Sequence, residues 1–168
     1  MPLLSRLASQ ETISDMLLAS NARYDKGLAL LNAGFRDGGI YLLGYAAEMI
    51  LKTSFCRIEP TVRLSIEVRS RFVIAERHWE KATGSLPPRS YEHNLRFWDF
   101  AILQERSVRR KPVLKAAVSQ MLSQCVKVVS ENWDVKMRYQ SVGATLKEAE
   151  NVRDAVGWLR GNQITLRS

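Results

Sequence analysis

Histidine and cysteine are scarce in this chain, with two of each in 168 residues. The few that occur are scattered, and no His-x-x-x-His, Cys-x-x-Cys or comparable ligand spacing exists. No metal site and no cofactor are therefore expected. Cys56 and Cys125 each fall inside a helical pattern, outside any zinc or redox spacing, and read as reduced buried thiols. Long hydrophobic runs are missing as well, since none approaches the roughly 20 apolar residues that cross a bilayer. The start, Met1-Pro2-Leu3-Leu4-Ser5-Arg6, lacks a basic leader followed by a long apolar stretch, so no signal peptide is expected. These absences point to a cytoplasmic protein that does not enter a membrane. Phosphate-loop signatures are also missing: Gly34, Gly38 and Gly39 have neither the Lys-Ser ending nor the preceding strand. With no dinucleotide fingerprint and no Gly-x-Ser-x-Gly elbow, the common ATPase, dehydrogenase and hydrolase readings fall away.

What remains is an ordinary globular composition, 46% hydrophobic and 25% charged, in a chain long enough to bury a core. Basic residues outnumber acidic ones by 25 to 17, a net charge of +8 that favours nucleic acid, nucleotide phosphates or an acidic partner. No repeat, low-complexity tract or glycine-rich linker divides the chain. The expectation is one domain over residues 1–168, with 1–11 as an extension ahead of it.

Hydrophobic periodicity predicts an all-α, single-domain helical bundle of about five to six helices. The first runs from about Thr12 to Leu31, with Thr12 and Asp15 as an imperfect capping box and Ile13, Leu17, Tyr24, Leu28 and Leu31 on one face. Gly34 stops it. Asp37 is placed to cap a second helix, about Gly38 to Arg57. Residues 62–68 alternate briefly as a strand would, but Leu64, Val68, Phe72, Ala75 and Trp79 recur at helical spacing and predict a helix over Leu64–Ala82. A fourth helix starts near His93 and runs to about Val108. Pro112 suits the first turn of a fifth, which Val118, Met121, Cys125 and Val128 carry to about Val129. Residues Glu131–Val142 read as a connector with a helical turn around Trp133. A capping box, Thr145 with Glu148, opens a last helix that buries Val152, Val156 and Leu159.

The second helix is the most informative element. Ile40, Leu43, Ala47, Ile50 and Leu51 form its core face, while Tyr41, Tyr45, Glu48 and Lys52 share another line at i, i+4, i+7 and i+11. A helix apolar on one side and aromatic on the other is covered on both, so another helix, a second subunit or a ligand must lie over the tyrosines. Glu48 and Lys52 suit an i,i+4 ion pair, with the tyrosines packed on neighbours. The same four residues also suit a pocket or subunit interface, with Lys52 meeting a phosphate.

Several stretches together resemble the HEPN family, the higher-eukaryote and prokaryote nucleotide-binding domain. They are Arg23-Tyr24, Gly34-Phe35-Arg36-Asp37, then Tyr41-Leu42-Leu43-Gly44-Tyr45-Ala46-Ala47-Glu48 with Leu51-Lys52. His93-Asn94-Leu95 is similar to the family's histidine-polar-leucine helix start, and Trp133 with Arg138-Tyr139 resembles its late Trp-Arg-Tyr signature. The matches keep the family's order from about Arg23 to Leu159. The resemblance implies a HEPN-like bundle, frequent homodimers, toxin–antitoxin, defence or RNA-related roles, and association with nucleotidyltransferase-type partner proteins. Ribonuclease members carry an arginine, four to six residues and a histidine on a late helix. Here only Arg71 and His78 have that spacing, on the third predicted segment, while Arg89 and His93 are too close together.

No complete catalytic set is therefore present. The first reading is a binding module acting beside a partner protein or on a nucleotide or RNA. Its ligand or interface residues are Tyr41, Tyr45, Glu48, Lys52, His93, Arg138 and Tyr139. The competing readings are a metal-independent endoribonuclease using Arg71 and His78, and a purely structural interaction module. His93 serves either as an architectural helix-start residue or as a phosphate ligand and proton exchanger. Arg106, Arg109, Arg110, Lys111 and Lys115 form the densest basic cluster, read either as a solvated turn offsetting a helix dipole or as an anion site.

Overall fold

A computed structural model describes residues 12–63, 68–139 and 143–168. Among these the elements are all helices: α1 (Ile13–Asn32), α2 (Arg36–Cys56), α3 (Val68–Thr83), α4 (Leu95–Val108), α5 (Ala116–Asn132), α6 (Leu146–Gly161) and α7 (Gln163–Arg167). Two 3-10 segments, Tyr91–His93 and Val135–Tyr139, stand before α4 and after α5. The expected all-α bundle is the architecture found, with α7 an added five-residue helix. None of the described helices is long and apolar enough to cross a membrane.

The bundle is organised around α2, which packs against α1, α4, α6 and α7. From Ile50 to Cys56 every residue of α2 is buried, as a central helix requires. Its predicted core face, Ile40, Leu43, Ala47, Ile50 and Leu51, is buried in full. Each large aliphatic side chain so placed contributes about 1.5–3 kcal/mol. The α1–α2 contact is close because glycines meet there: a Cβ on Gly39 would stand 2.2 Å from Leu31 Cδ2, and one on Gly27 2.8 Å from Leu43 Cγ.

Local chemistry fixes the helix ends as the sequence suggested. Thr12 with Asp15 and Thr145 with Glu148 are both full capping boxes. Gly34, at φ +86°, ends α1. Its N–H bonds Leu31 O at 3.0 Å and the Phe35 N–H bonds Leu30 O at 2.9 Å, which is a Schellman turn.

Other expectations need correction. Asp37 does not cap α2: that turn starts the helix at Arg36, and the Asp37 carboxylate instead accepts from Gly143 N (3.1 Å) and Ala144 N (2.7 Å), tying α2 to the segment before α6. In α1 the buried line is Ile13, Met16, Ser20 and Gly27, while Leu17, Tyr24, Leu28 and Leu31 are half-buried. In α3, Val68, Phe72 and Ala75 are buried as expected; Leu64 lies outside the described residues. The fourth helix does start near His93 and end at Val108 as expected, with Asn94 as the cap that accepts from Arg96 N and Phe97 N. The fifth helix begins at Ala116, not Pro112, whose carbonyl is held at 2.6 Å by the Arg106 guanidinium. Its buried stripe is Leu122, Cys125, Val126 and Val129, leaving Met121 exposed. Both cysteines are buried free thiols, and burial pushes Cys56 up to about 12 and Cys125 up to about 11.

Candidate functional site

The second-helix line is covered by its own chain. Trp133, just after α5, lies across α2 at Gly44, where a Cβ would come within 2.0 Å of the indole Cγ. Its Nε1 donates to Tyr41 O at 3.1 Å. Gly44 in the Leu-Gly-Tyr stretch is therefore a docking notch for the late tryptophan, which accounts for a helix-weakening residue at this point. Tyr45 meets Trp133 edge-on, ring centroids 5.3 Å apart, and meets Tyr41 edge-on at 5.0 Å. The Arg23 guanidinium stands 5.8 Å from the Tyr45 ring centroid.

One turn further along α2 the chemistry becomes ionic. Glu48 is only 3% exposed and Lys52 only 7%. Glu48 Oε1 is 2.5 Å from Lys52 Nζ, and its Oε2 is 2.9 Å from His93 Nδ1. The Lys52 ammonium also faces the rings of Phe72 (5.2 Å) and Trp98 (5.6 Å). A buried carboxylate thus joins the α2 line to the histidine ahead of α4, a contact spanning 45 positions in sequence. Holding Nδ1 leaves Nε2 as the ring nitrogen free for a ligand.

The backbone carrying His93 is pinned from several sides. The Trp98 indole donates to Glu92 O at 3.0 Å. Tyr91 Oη donates to Glu76 on α3, and Arg69 reaches both Tyr91 Oη (3.1 Å) and Glu92 (2.9 Å). Burial and the Glu76 bond push the Tyr91 phenol up to about 12. Ser90 turns the chain at φ 58°, in the left-handed region where a serine carries strain.

Beside His93 opens a cavity of about 400 Å³ between the start of α4 and the end of α5. Arg89, His93 and Lys136 line it, along with Ser90, Trp133 and one acid, Asp134. Asp134 Oδ1 is engaged by the Lys136 backbone N–H at 2.7 Å. Among the described residues neither the Arg89 guanidinium nor the Lys136 ammonium has an ion-pair partner, and the Ser130 hydroxyl on the wall is buried without a hydrogen bond. The arrangement offers cationic donors to an anion of nucleotide size.

Sequence reasoning brought Tyr41, Tyr45, Glu48, Lys52 and His93 into view, and the fold brings all five together. It set Arg89 aside as too close to His93 for the ribonuclease spacing and did not single out Lys136; the two are 47 positions apart and meet only through the tertiary fold. Arg138 and Tyr139 fall in the 3-10 segment whose first residues, Val135 and Lys136, line this cavity, and their side chains lie outside what is described.

Arg71 and His78 share a face of α3, as their spacing requires, but that face turns onto Glu105 of α4. Arg71 Nη2 meets Glu105 Oε1 at 3.1 Å and His78 Nε2 meets Oε2 at 2.6 Å. Arg109 adds a third contact at 3.1 Å and also pairs with Glu59. Burial raises the Glu105 carboxyl, but its bonds to His78 and Arg109 and the nearby Arg71 charge outweigh that and hold it below the usual range. Both members of the ribonuclease-like pair are thus engaged by a carboxylate that is 1% exposed. Among the described residues no three metal-ligating side chains gather.

No protein-family model matches this chain, and no curated protein or solved structure is significantly similar to it. The HEPN resemblance rests on the motif residues themselves.

Proposed function

We propose that this chain is a HEPN-like binding module that receives the phosphate of a nucleotide or RNA in the cavity beside His93. The observation that carries the reading is the linkage Lys52–Glu48–His93: a buried carboxylate fixes Nδ1 of a histidine that lines the same cavity as Arg89 and Lys136. Two of the motifs behind the resemblance, the second-helix stretch and His93-Asn94-Leu95, meet at this point, and Trp133 of the third seats on Gly44. Homodimerisation, a nucleotidyltransferase-type partner and a toxin–antitoxin or defence setting follow from the same resemblance and belong to the proposal.

The test is a thermal-shift series with nucleotides, using tripolyphosphate at matched ionic strength as the charge control. A ligand at a hundredfold excess over its Kd adds about 2.7 kcal/mol of stability, which a melt resolves. A nucleotide is expected to raise the Tm beyond tripolyphosphate, and His93→Gln and Arg89→Gln are expected to abolish that excess. Equal shifts from both ligands would reduce the site to a basic surface. Metal-independent RNA cleavage through Arg71 and His78 is the competing proposal, and the hold of Glu105 on both side chains argues against it. RNA cleavage in chelator, lost in His78→Ala, would overturn the binding reading in favour of that one.

A further inference from the structure

The basic cluster between α4 and α5 divides into cations with partners and cations without. Arg106 is buried and donates to Pro112 O, Thr165 O and Leu166 O, so it serves the backbone of the turn and of α7. Arg109 is taken by Glu105 and Glu59. Lys111 meets no carboxylate among the described residues. It lines a separate cavity of about 300 Å³ with Arg57, which follows α2, and Arg167, at the end of α7. Ile58 and Pro60 give this cavity an apolar wall, and its one acidic side chain, Glu59, is the partner of Arg109.

Arg57, Lys111 and Arg167 are all half-buried, and none forms an ion pair or donates a side-chain hydrogen bond among the described residues. Cations near helix C-termini offset the dipole. That rule suits Arg57 after α2, Lys111 after α4 and Arg167 at the end of α7 one by one, but it does not require all three to line one cavity, and Arg106 already holds the carbonyls of Thr165, Leu166 and Pro112. Bringing like charges together while removing water costs free energy. The cost is visible at Arg167, whose guanidinium is lowered by burial and then by Arg57.

We infer that the Arg57–Lys111–Arg167 cavity is an anion site for a phosphate or pyrophosphate group, separate from the cavity beside His93. Two guanidiniums offer paired N–H donors that match phosphate oxygens, and the lysine adds a point charge. The phosphate chemistry is shared by free nucleotides and by the end of an RNA strand.

Isothermal titration of the full chain with pyrophosphate at constant ionic strength tests this inference. Arg89→Gln/Lys136→Gln is used as the background throughout, so that both unpaired cations of the cavity beside His93 are removed. One saturable site is expected, weakened about tenfold or more by Arg57→Gln/Arg167→Gln and likewise by Lys111→Gln. Displacement of pyrophosphate by a nucleoside diphosphate or by a 5′-phosphorylated oligoribonucleotide supports the site, and the stronger competitor names the source. An unchanged Kd in both variants overturns it, as does a heat signal reproduced by chloride alone. The Tm excess of nucleotide over tripolyphosphate, which tests the His93 cavity, depends on a different set of residues, so either proposal can fail without the other.

Discussion

At the scale of single residues, Glu48 carries the most consequence. Its two oxygens serve Lys52 and His93, and it sits where water does not reach. A buried pair contributes little net stability against an apolar replacement, but removing one partner strands the other charge. Glu48→Gln is expected to destabilise the fold by about 3 kcal/mol, because the buried Lys52 then has a neutral amide oxygen and the faces of Phe72 and Trp98 but no opposite charge. Glu48→Gln/Lys52→Met, in which no charge is stranded, is expected to recover most of that loss in urea unfolding. If the two substitutions simply add, the pair is not coupled. The i,i+4 spacing of this pair was legible in the sequence; its burial was not, because His93, Trp98 and Trp133 arrive from 45 or more positions away.

At the scale of elements, α3 meets α4 through the rings of Phe72 and Trp79 against Trp98, Phe97 and Phe100, and through one buried carboxylate, Glu105. One carboxylate receives Arg71 and His78 from α3 and Arg109 from its own helix. Because its folded-state pKa lies below the ordinary 4.5, it binds fewer protons folded than unfolded. Its contribution is therefore complete above pH 4.5 and is lost as pH falls through the lower, folded-state value. Wild-type protein is expected to lose stability over that acid window more steeply than Glu105→Gln, as unfolding free energies at a series of pH values will report. Parallel slopes would remove Glu105 from the acid response. Helix boundaries set by local chemistry, such as Thr12, Gly34 and Thr145, were readable in advance. Which face of α5 turns inward was not: apolar residues line two sides of it, and the packing of α4 and α6 selects Leu122 and Val126 over Met121.

At the scale of the whole molecule, a net charge of +8 implied only a preference for polyanions. The fold converts that preference into places. Arg71, Arg106 and Arg109 are taken up by carboxylates or carbonyls, so they are not available to a ligand. Arg89 and Lys136 remain at one cavity, and Arg57, Lys111 and Arg167 at another. If single-stranded RNA binds at the first cavity, removing one phosphate-binding cation should flatten the dependence of log K on log salt concentration by about 0.7. Arg89→Gln and Lys136→Gln are each expected to show that flattening in fluorescence anisotropy titrations across a salt series. Arg77→Gln, which removes an exposed cation of α3 that lines neither cavity, is expected to leave the slope unchanged. A slope that falls equally for all three would mean that RNA follows net charge and not the cavity, and the site beside His93 would lose its claim on the ligand.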